Sequence, residues 1–213
     1  INLGWGYHRA NGISQGSLGA ALAYRAEKYK VTMDVSAFQN RQEGTESTDR
    51  YALNSQFGRF FTRRWLAAAM ARLEQNEEMG LRLRTLFGGG FGRHMLKSNR
   101  TDLALYLGVV ASNEAFFDEL LPSQNTLEGL LGVDFSVFRF QDPELDFDLK
   151  LLVFPSFSES GRLRIEFDSK LGFELVKDLT INLSLYNYYD SDPWVDNAET
   201  NDYGVVTSLG WKF

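Results

Sequence analysis

The chain has 213 residues, of which 44% are hydrophobic, 23% charged and 14% aromatic, and it contains no cysteine, so it is neither a disordered tail nor a disulfide scaffold. Its length is that of a single domain, residues 1–213. With 22 Lys and Arg against 28 Asp and Glu the net charge is -6, which removes the basic footprint of a general nucleic-acid binder. No run approaches the ~18 consecutive apolar residues of a spanning helix.

The chain opens on Ile1-Asn2-Leu3-Gly4-Trp5, without the basic, apolar and small-residue regions of a signal peptide, so any export signal is expected to have been removed ahead of residue 1. From there apolar residues recur with period two, the spacing of a half-buried strand. Leu3, Trp5 and Tyr7 begin the series, followed by Leu18, Ala20, Leu22 and Tyr24, then Tyr29, Val31, Met33 and Val35, then Tyr51, Leu53, Ser55 and Phe57. It continues through Trp65–Leu73, Leu81–Phe87, Leu103–Ala111, Leu127–Val137, Leu145–Val153, Leu163–Leu175, Leu179–Leu185 and Tyr203–Phe213. The count is about twelve strands, an even number as single-chain outer-membrane barrels have. At roughly 18 residues per strand and connection, the spacing suits a transmembrane barrel better than a sandwich of ~5–6-residue strands.

The alternate positions are ionic. Between Leu163, Ile165 and Phe167 stand Arg164, Glu166, Asp168 and Lys170; around Phe147 and Leu149 stand Asp146, Asp148 and Lys150; beside Leu81 and Leu83 stand Arg82 and Arg84. A soluble closed barrel with an apolar interior shares this alternation. Three features favour a lipid-facing apolar side. Small residues such as Gly4, Gly6, Gly19, Ala21, Gly88, Gly90, Gly204 and Ser208 crowd the polar face and suit a confined lumen. Aromatic residues bunch at strand ends, as in Phe57, Phe60, Phe61 and Trp65, or Tyr186, Tyr188, Tyr189 and Trp194, and are expected to form a headgroup girdle. The chain stops at Trp211-Lys212-Phe213, where Trp211 and Phe213 resemble the C-terminal insertion signal read by the barrel-assembly machinery.

Connection length alternates as barrel polarity requires. Short turns fall at Arg25–Lys30, Phe61–Trp65, Arg93–Arg100, Phe138–Glu144 and Val176–Leu179, on the side of the termini, and would be periplasmic. Longer loops fall at Asn40–Asp49, Gln75–Gly80, Ser112–Glu128, Pro155–Arg162 and Asp190–Tyr203, and would face outward. The turns are basic, with Arg25, Lys28, Lys30, Arg63, Arg64, Arg93, Lys97, Arg100, Arg139 and Lys177. The loops are acidic, and among their carboxylates are Glu77, Glu78, Glu114, Asp190 and Asp202. Such loops form a cation-attracting mouth, a set of carboxylates linked through divalent cations to lipopolysaccharide phosphates, or simply a solvated face.

The stretches Thr48-Asp49-Arg50-Tyr51, Phe60-Phe61-Thr62-Arg63-Arg64-Trp65, Leu86-Phe87-Gly88-Gly89-Gly90-Phe91-Gly92 and Tyr189-Asp190-Ser191-Asp192-Pro193 resemble domain-of-unknown-function family 481, which includes salt-induced outer-membrane proteins of Gram-negative bacteria. The similarity runs over nearly the whole chain. It implies a β-barrel integral to the outer membrane and an association with salt stress, and it carries no catalytic motif. The first hairpin, expected at Arg9–Ser17, departs from the family's turn.

Reactive chemistry has few parts here. The two histidines, His8 and His94, belong to no metal-ligand motif, and no Gly-x-Ser-x-Gly elbow occurs. A lipase-like arrangement of His8 with Ser184 or Ser208 is one reading, and a lone polar lumen histidine the other. Asp190-Ser191-Asp192 with Asp196 has oxygen-ligand density but lacks the glycine and glutamate spacing of a calcium hand. Gly88-Gly89-Gly90 lies within a strand and makes no phosphate loop. No metal or cofactor is expected. The strongest constellation is a charged lumen network of Asp146, Asp148, Lys150, Arg164, Glu166, Asp168 and Lys170, with Arg72, Glu74, Arg82 and Arg84 on another wall. Its walls of opposite charge would set up a transverse field along a narrow polar path, or would stiffen and fill the barrel. The expectation is a non-enzymatic outer-membrane barrel, either a narrow channel for small solutes or a structural envelope protein, in contact with lipids and lipopolysaccharide. An anchoring subunit with protein partners at its loops, and a barrel-housed lipid-modifying enzyme, are the alternatives.

Overall fold

The computed structural model describes residues 2–10, 13–42, 48–139, 143–176, 179–194 and 199–211, and for residues 2–10, 13–15, 42 and 211 the backbone alone. Among these residues twelve antiparallel strands follow one another: β1 (Asn2–Ala10), β2 (Ile13–Arg25), β3 (Tyr29–Gln42), β4 (Thr48–Phe60), β5 (Trp65–Asn76), β6 (Leu81–Lys97), β7 (Thr101–Phe116), β8 (Gln124–Arg139), β9 (Leu145–Pro155), β10 (Leu163–Val176), β11 (Leu179–Asp190) and β12 (Asn201–Trp211). Each pairs with its sequence neighbours, and β1 meets β12 through Gly4–Gly210 and Trp5–Leu209, so the sheet closes. Lipid cannot hydrogen-bond an open edge, and closure removes it.

Register decides which face meets which solvent. Leu107, Val109 and Phe87 are half or more exposed on the outer wall, as are Leu18, Val205 and Leu209, whereas the intervening Tyr106, Gly108 and Val110 look inward. Leu105, Phe147 and Ile165 lie on the outer parity of their strands, opposite Arg93, Val137 and Tyr189. A contiguous apolar exterior of this extent around an ionic interior is stable only with hydrocarbon outside.

A bilayer crossing needs ~9–11 residues. The 17 residues of β6 and the 16 each of β7 and β8 therefore outrun it by several positions. This is why the connection expected over Ser112–Glu128 shrinks to residues 117–123: its polar flanks are strand, continued beyond the membrane. The first hairpin is tighter than its Arg9–Ser17 expectation for the same reason, since the ladder runs through Arg9–Ser14 to Ala10–Ile13. Polar residues there read as a loop in sequence, although a hairpin tip in water tolerates polar side chains on both faces.

At β6 and β7 the wall folds sharply inward. An added Cβ at Gly88 would stand 2.6 Å from the Val109 carbonyl oxygen, and at Gly90 2.6 Å from the Gly108 Cα. Only glycine lets the two strands approach so closely, which explains the in-strand glycine run. Gly90→Val is expected to cost at least about 1–3 kcal/mol through overpacking, read as loss of the folded band in heat-modifiability gels. Gly16→Ala, whose new methyl group meets nothing within 4 Å, should leave folding unchanged.

Candidate functional site

The bend brings walls that are not neighbours in the sheet into contact across the lumen. Arg72 on β5 reaches Glu166 on β10 at 2.5 Å, and Arg164 on β10 reaches Glu128 on β8 at 2.5 Å. Arg84 on β6 bonds Glu114 on β7 at 3.1 Å, with Glu74 on β5 at 3.6 Å. Arg162, just before β10, spans Glu114 at 3.2 Å and Asp190 at 2.6 Å. All these side chains are buried. A charge buried alone costs several kcal/mol, so each of these guanidiniums needs its carboxylate, and each carboxylate fixes the distance between two walls.

Beneath the network lies an apolar wedge of Leu86, Val110, Leu130, Leu152 and Phe154, with Met70 against it. The guanidinium of Arg164 stands 4.8 Å over the Phe154 ring. Above the network, on the loop side, Met79, Leu81, Phe116, Leu121 and Trp194 form a cap, and Arg162 stacks on Trp194 at 5.2 Å. One side of the lumen, from β5 to β8, is therefore filled over its loop-side half.

The opposite side is open. A cavity of about 670 Å³ runs along β2, β3 and β8–β12, from Phe38, Arg50 and Tyr188 toward the loops to Asp146, Thr180 and Gly210 toward the turns. Its walls are small and hydroxylated where they meet β2, β3, β11 and β12, through Ser17, Gly19, Ala21, Ser36, Ser184 and Ser208. Five carboxylates line it, Asp34, Asp134, Asp146, Asp148 and Asp168, against Lys150, Lys170 and Arg50. Arg50 is held by Asp202 at 2.9 Å and by the rings of Tyr186 and Tyr188 at 4.1 and 4.9 Å. Lys150 and Lys170 enter no ion pair among the described residues. Tyr188 donates to Asp168 at 2.9 Å, Ser136 to Asp148 at 2.6 Å and Asn54 to Asp34 at 2.7 Å.

The sequence-predicted residues thus divide. Arg72, Glu74, Arg84, Arg164 and Glu166 belong to the buried network, and Asp146, Asp148, Lys150, Asp168 and Lys170 line the cleft. Arg82 does neither. A β-bulge between Leu81 and Leu83 leaves it as the extra, unpaired residue, exposed outside the lumen face. The expected walls of opposite sign do not form either, because Arg72 is neutralised by Glu166 from across the barrel and Arg84 by Glu114 and Glu74 on the adjoining strands. Glu114, Asp190 and Asp202, placed on solvated loops by sequence, are buried partners of arginine, and Glu128 and Arg162 join them. With Asp190 bound by Arg162, the Asp190-Ser191-Asp192 segment has its first oxygen ligand engaged, and Asp196 lies outside the described residues. Tyr186 and Tyr188 face the lumen rather than the girdle, whereas Phe57, Phe61 and Trp65 are exposed. His94 bonds Asp102 at 2.5 Å. The side chains of His8 and Trp211, and the whole of Phe213, lie outside the described residues, although the backbone of Trp211 pairs with Leu179.

Closed, even-stranded, apolar without and ionic within, the fold is that of a transmembrane β-barrel. The chain belongs to the family described as "Protein of unknown function, DUF481", which it matches over residues 1–213. Among solved structures it is similar to one described as "NanC porin structure in rhombohedral crystal form", with a TM-score of 0.60 and 7% identity, over 100% of this chain and 99% of that one. It is also similar to "KdgM porin" (TM-score 0.53, 10% identity) and to "KdgM porin in complex with disordered oligogalacturonate" (0.53, 9%), each over 100% of this chain and 99% of the other. At such identities the likeness is one of fold. No curated protein matches the chain.

Two outcomes follow from the network. Arg72→Met leaves the buried Glu166 with only the longer contact to Arg164 at 3.9 Å and should cost up to about 3–5 kcal/mol, with most of that recovered by adding Glu166→Leu, as read from urea unfolding in detergent. The second concerns Glu78, in the loop between β5 and β6 and outside the spanning strands. Partial desolvation, then a hydrogen bond that the protonated Glu78 donates to Asp202, then the charge of Asp202, push its carboxyl up to about 7; Glu199 adds to this and Arg50 opposes it. Folding thus favours the protonated acid, so its stabilisation is complete below the ordinary value of 4.5 and is lost as pH rises toward about 7. Hydrogen exchange in residues 77–80, corrected for intrinsic rates, should accelerate across that window, and Glu78→Gln should flatten the dependence.

Proposed function

We propose that this protein is integral to the outer membrane of a Gram-negative cell, with its turns periplasmic and its loops outside, and that it forms a narrow channel for small solutes. The observation that carries this reading is the cleft beside the ion-paired half. It extends along the lumen from the loop-side Arg50 and Tyr188 to the turn-side Asp146 and Gly210, lined by hydroxyls and charges that replace part of a solute's hydration. The solved barrels it resembles are described as porins, which supports the same reading.

The cleft's charge favours cations. Its five carboxylates outnumber Lys150 and Lys170, and Arg50 is already committed to Asp202. In a narrow, low-dielectric passage such an excess raises the local cation concentration and opposes anions. The ion-paired half serves as a rigid backing, which holds the passage at fixed width.

Planar-bilayer recording in a salt gradient tests this. The wild-type protein should conduct with a reversal potential of cation sign. Asp148→Asn with Asp168→Asn should move it toward zero, and Lys150→Gln should move it the other way. Silence at every voltage would overturn the channel and leave the structural envelope role.

A further inference from the structure

The outer wall carries cations near the turns of β3–β6, at positions that are apolar or aromatic farther up the strands. Near the turn end of β3–β6, the outward register pairs are Tyr29 with Arg59 and Trp65 with Arg93. The Arg59 guanidinium lies 5.9 Å from the centre of the Phe61 ring, and that of Arg93 lies 5.3 Å from Trp65. Tyr29 stacks on Phe57 at 6.3 Å and continues the row. Among the described residues neither arginine has a carboxylate partner. Phe61 and Trp65 are about half exposed, so the rings and the cations above them share one open surface.

This surface is continuous with the apolar band, which begins two residues up the strands at Phe57 and Phe91. A cation at the boundary between hydrocarbon and water meets a headgroup, and two guanidiniums without a carboxylate partner, each beside an aromatic ring, present forks that match a phosphodiester. The turn between β4 and β5 adds Arg63 and Arg64 beside them. Across the barrel the turn end is different: Glu144 and Glu174 face each other there, with the Glu144 amide donating to the Glu174 carboxylate. The pair of ring-backed arginines thus stands in one sector of the rim, while Arg139 at the turn end of β8 is a further exposed cation outside it.

We propose that the rim formed by Arg59, Phe61, Trp65 and Arg93 is a binding site for an anionic glycerophospholipid headgroup of the leaflet on the turn side. The site rests on the membrane placement proposed above and not on channel activity. The lipid's phosphodiester sits between the two guanidiniums, and its acyl chains lie along Phe57 and Phe91. Because both arginines point away from the lumen, occupancy of the site leaves conduction unchanged.

Native mass spectrometry of the full-length protein, released from micelles doped with phosphatidylglycerol or phosphatidylcholine of matched chains, tests the site. The wild-type protein should retain phosphatidylglycerol several-fold over phosphatidylcholine. Arg59→Gln with Arg93→Gln should bring the ratio near unity, and Arg59→Lys with Arg93→Lys should keep much of it. Heat-modifiability gels verify that each variant is folded, and an unfolded glutamine pair is replaced by the two single variants, each of which should lose part of the preference. Equal retention of both lipids by the wild-type protein, an unchanged ratio in folded glutamine variants, or a stronger preference for lipopolysaccharide would overturn the assignment. Failure of the membrane placement itself would show differently, as a protein that stays monodisperse without detergent.

Discussion

The structure depends on a buried charge network that crosses the barrel as well as running along its wall. Strand neighbours in a β-barrel are set by backbone hydrogen bonds, which by themselves leave the lumen round and its ionic side chains in water. Here Arg72 reaches Glu166 on β10, Arg164 reaches Glu128 on β8 and Arg162 reaches Glu114 on β7, while Arg84 ties into the network through Glu114 and Glu74 on the adjoining strands. Once buried, these ions cannot separate without exposing a charge to low dielectric, so they hold the walls together. Glycines at 88, 90 and 108 permit the inward fold that brings the walls within reach, and the wedge around Leu86 and Phe154 fills the space the ions leave.

Asymmetry follows from that constraint. Drawing β5–β7 toward β10 closes one side of the lumen and leaves the side along β2 and β3 open, where serine, glycine and alanine are too small to fill it. A uniform coat of small residues would give a wide pore, and a uniform coat of paired ions a solid plug. The combination gives a rigid half and a narrow wet half whose charges are only partly matched, and a path of that kind selects by size and by sign.

Much of this was legible in the amino-acid sequence. Alternation by two over about twelve segments identified the barrel, because parity is local and lipid punishes any lapse in it. Parity also placed Arg72, Glu74, Arg84, Arg164 and Glu166 inside. It failed at Arg82, where one extra residue in β6 resets the phase and nothing in Leu81-Arg82-Leu83-Arg84 marks the bulge. Glu114, Glu128, Asp190 and Asp202 looked like loop residues because strands that project past the bilayer need no apolar alternation, and only their distant arginines explain their burial. Position along the strand suggests a girdle for Tyr186 and Tyr188, whereas their even parity, shared with Asp190, puts them around Arg50. Which wall meets which was beyond any local reading, since Arg72 and Glu166 stand 94 residues apart.

The central claim, that the lumen is dry on one side and wet on the other, is tested most directly by single cysteines in a chain that has none of its own. Ser184→Cys and Ser208→Cys place a thiol on the cleft, and Val110→Cys places one in the apolar wedge. With the protein in lipid vesicles and a small charged thiol reagent on both sides, the two cleft positions should react readily and Cys at position 110 should stay unmodified until the barrel is unfolded. Rapid reaction at position 110, or protection at positions 184 and 208, would contradict the divided lumen.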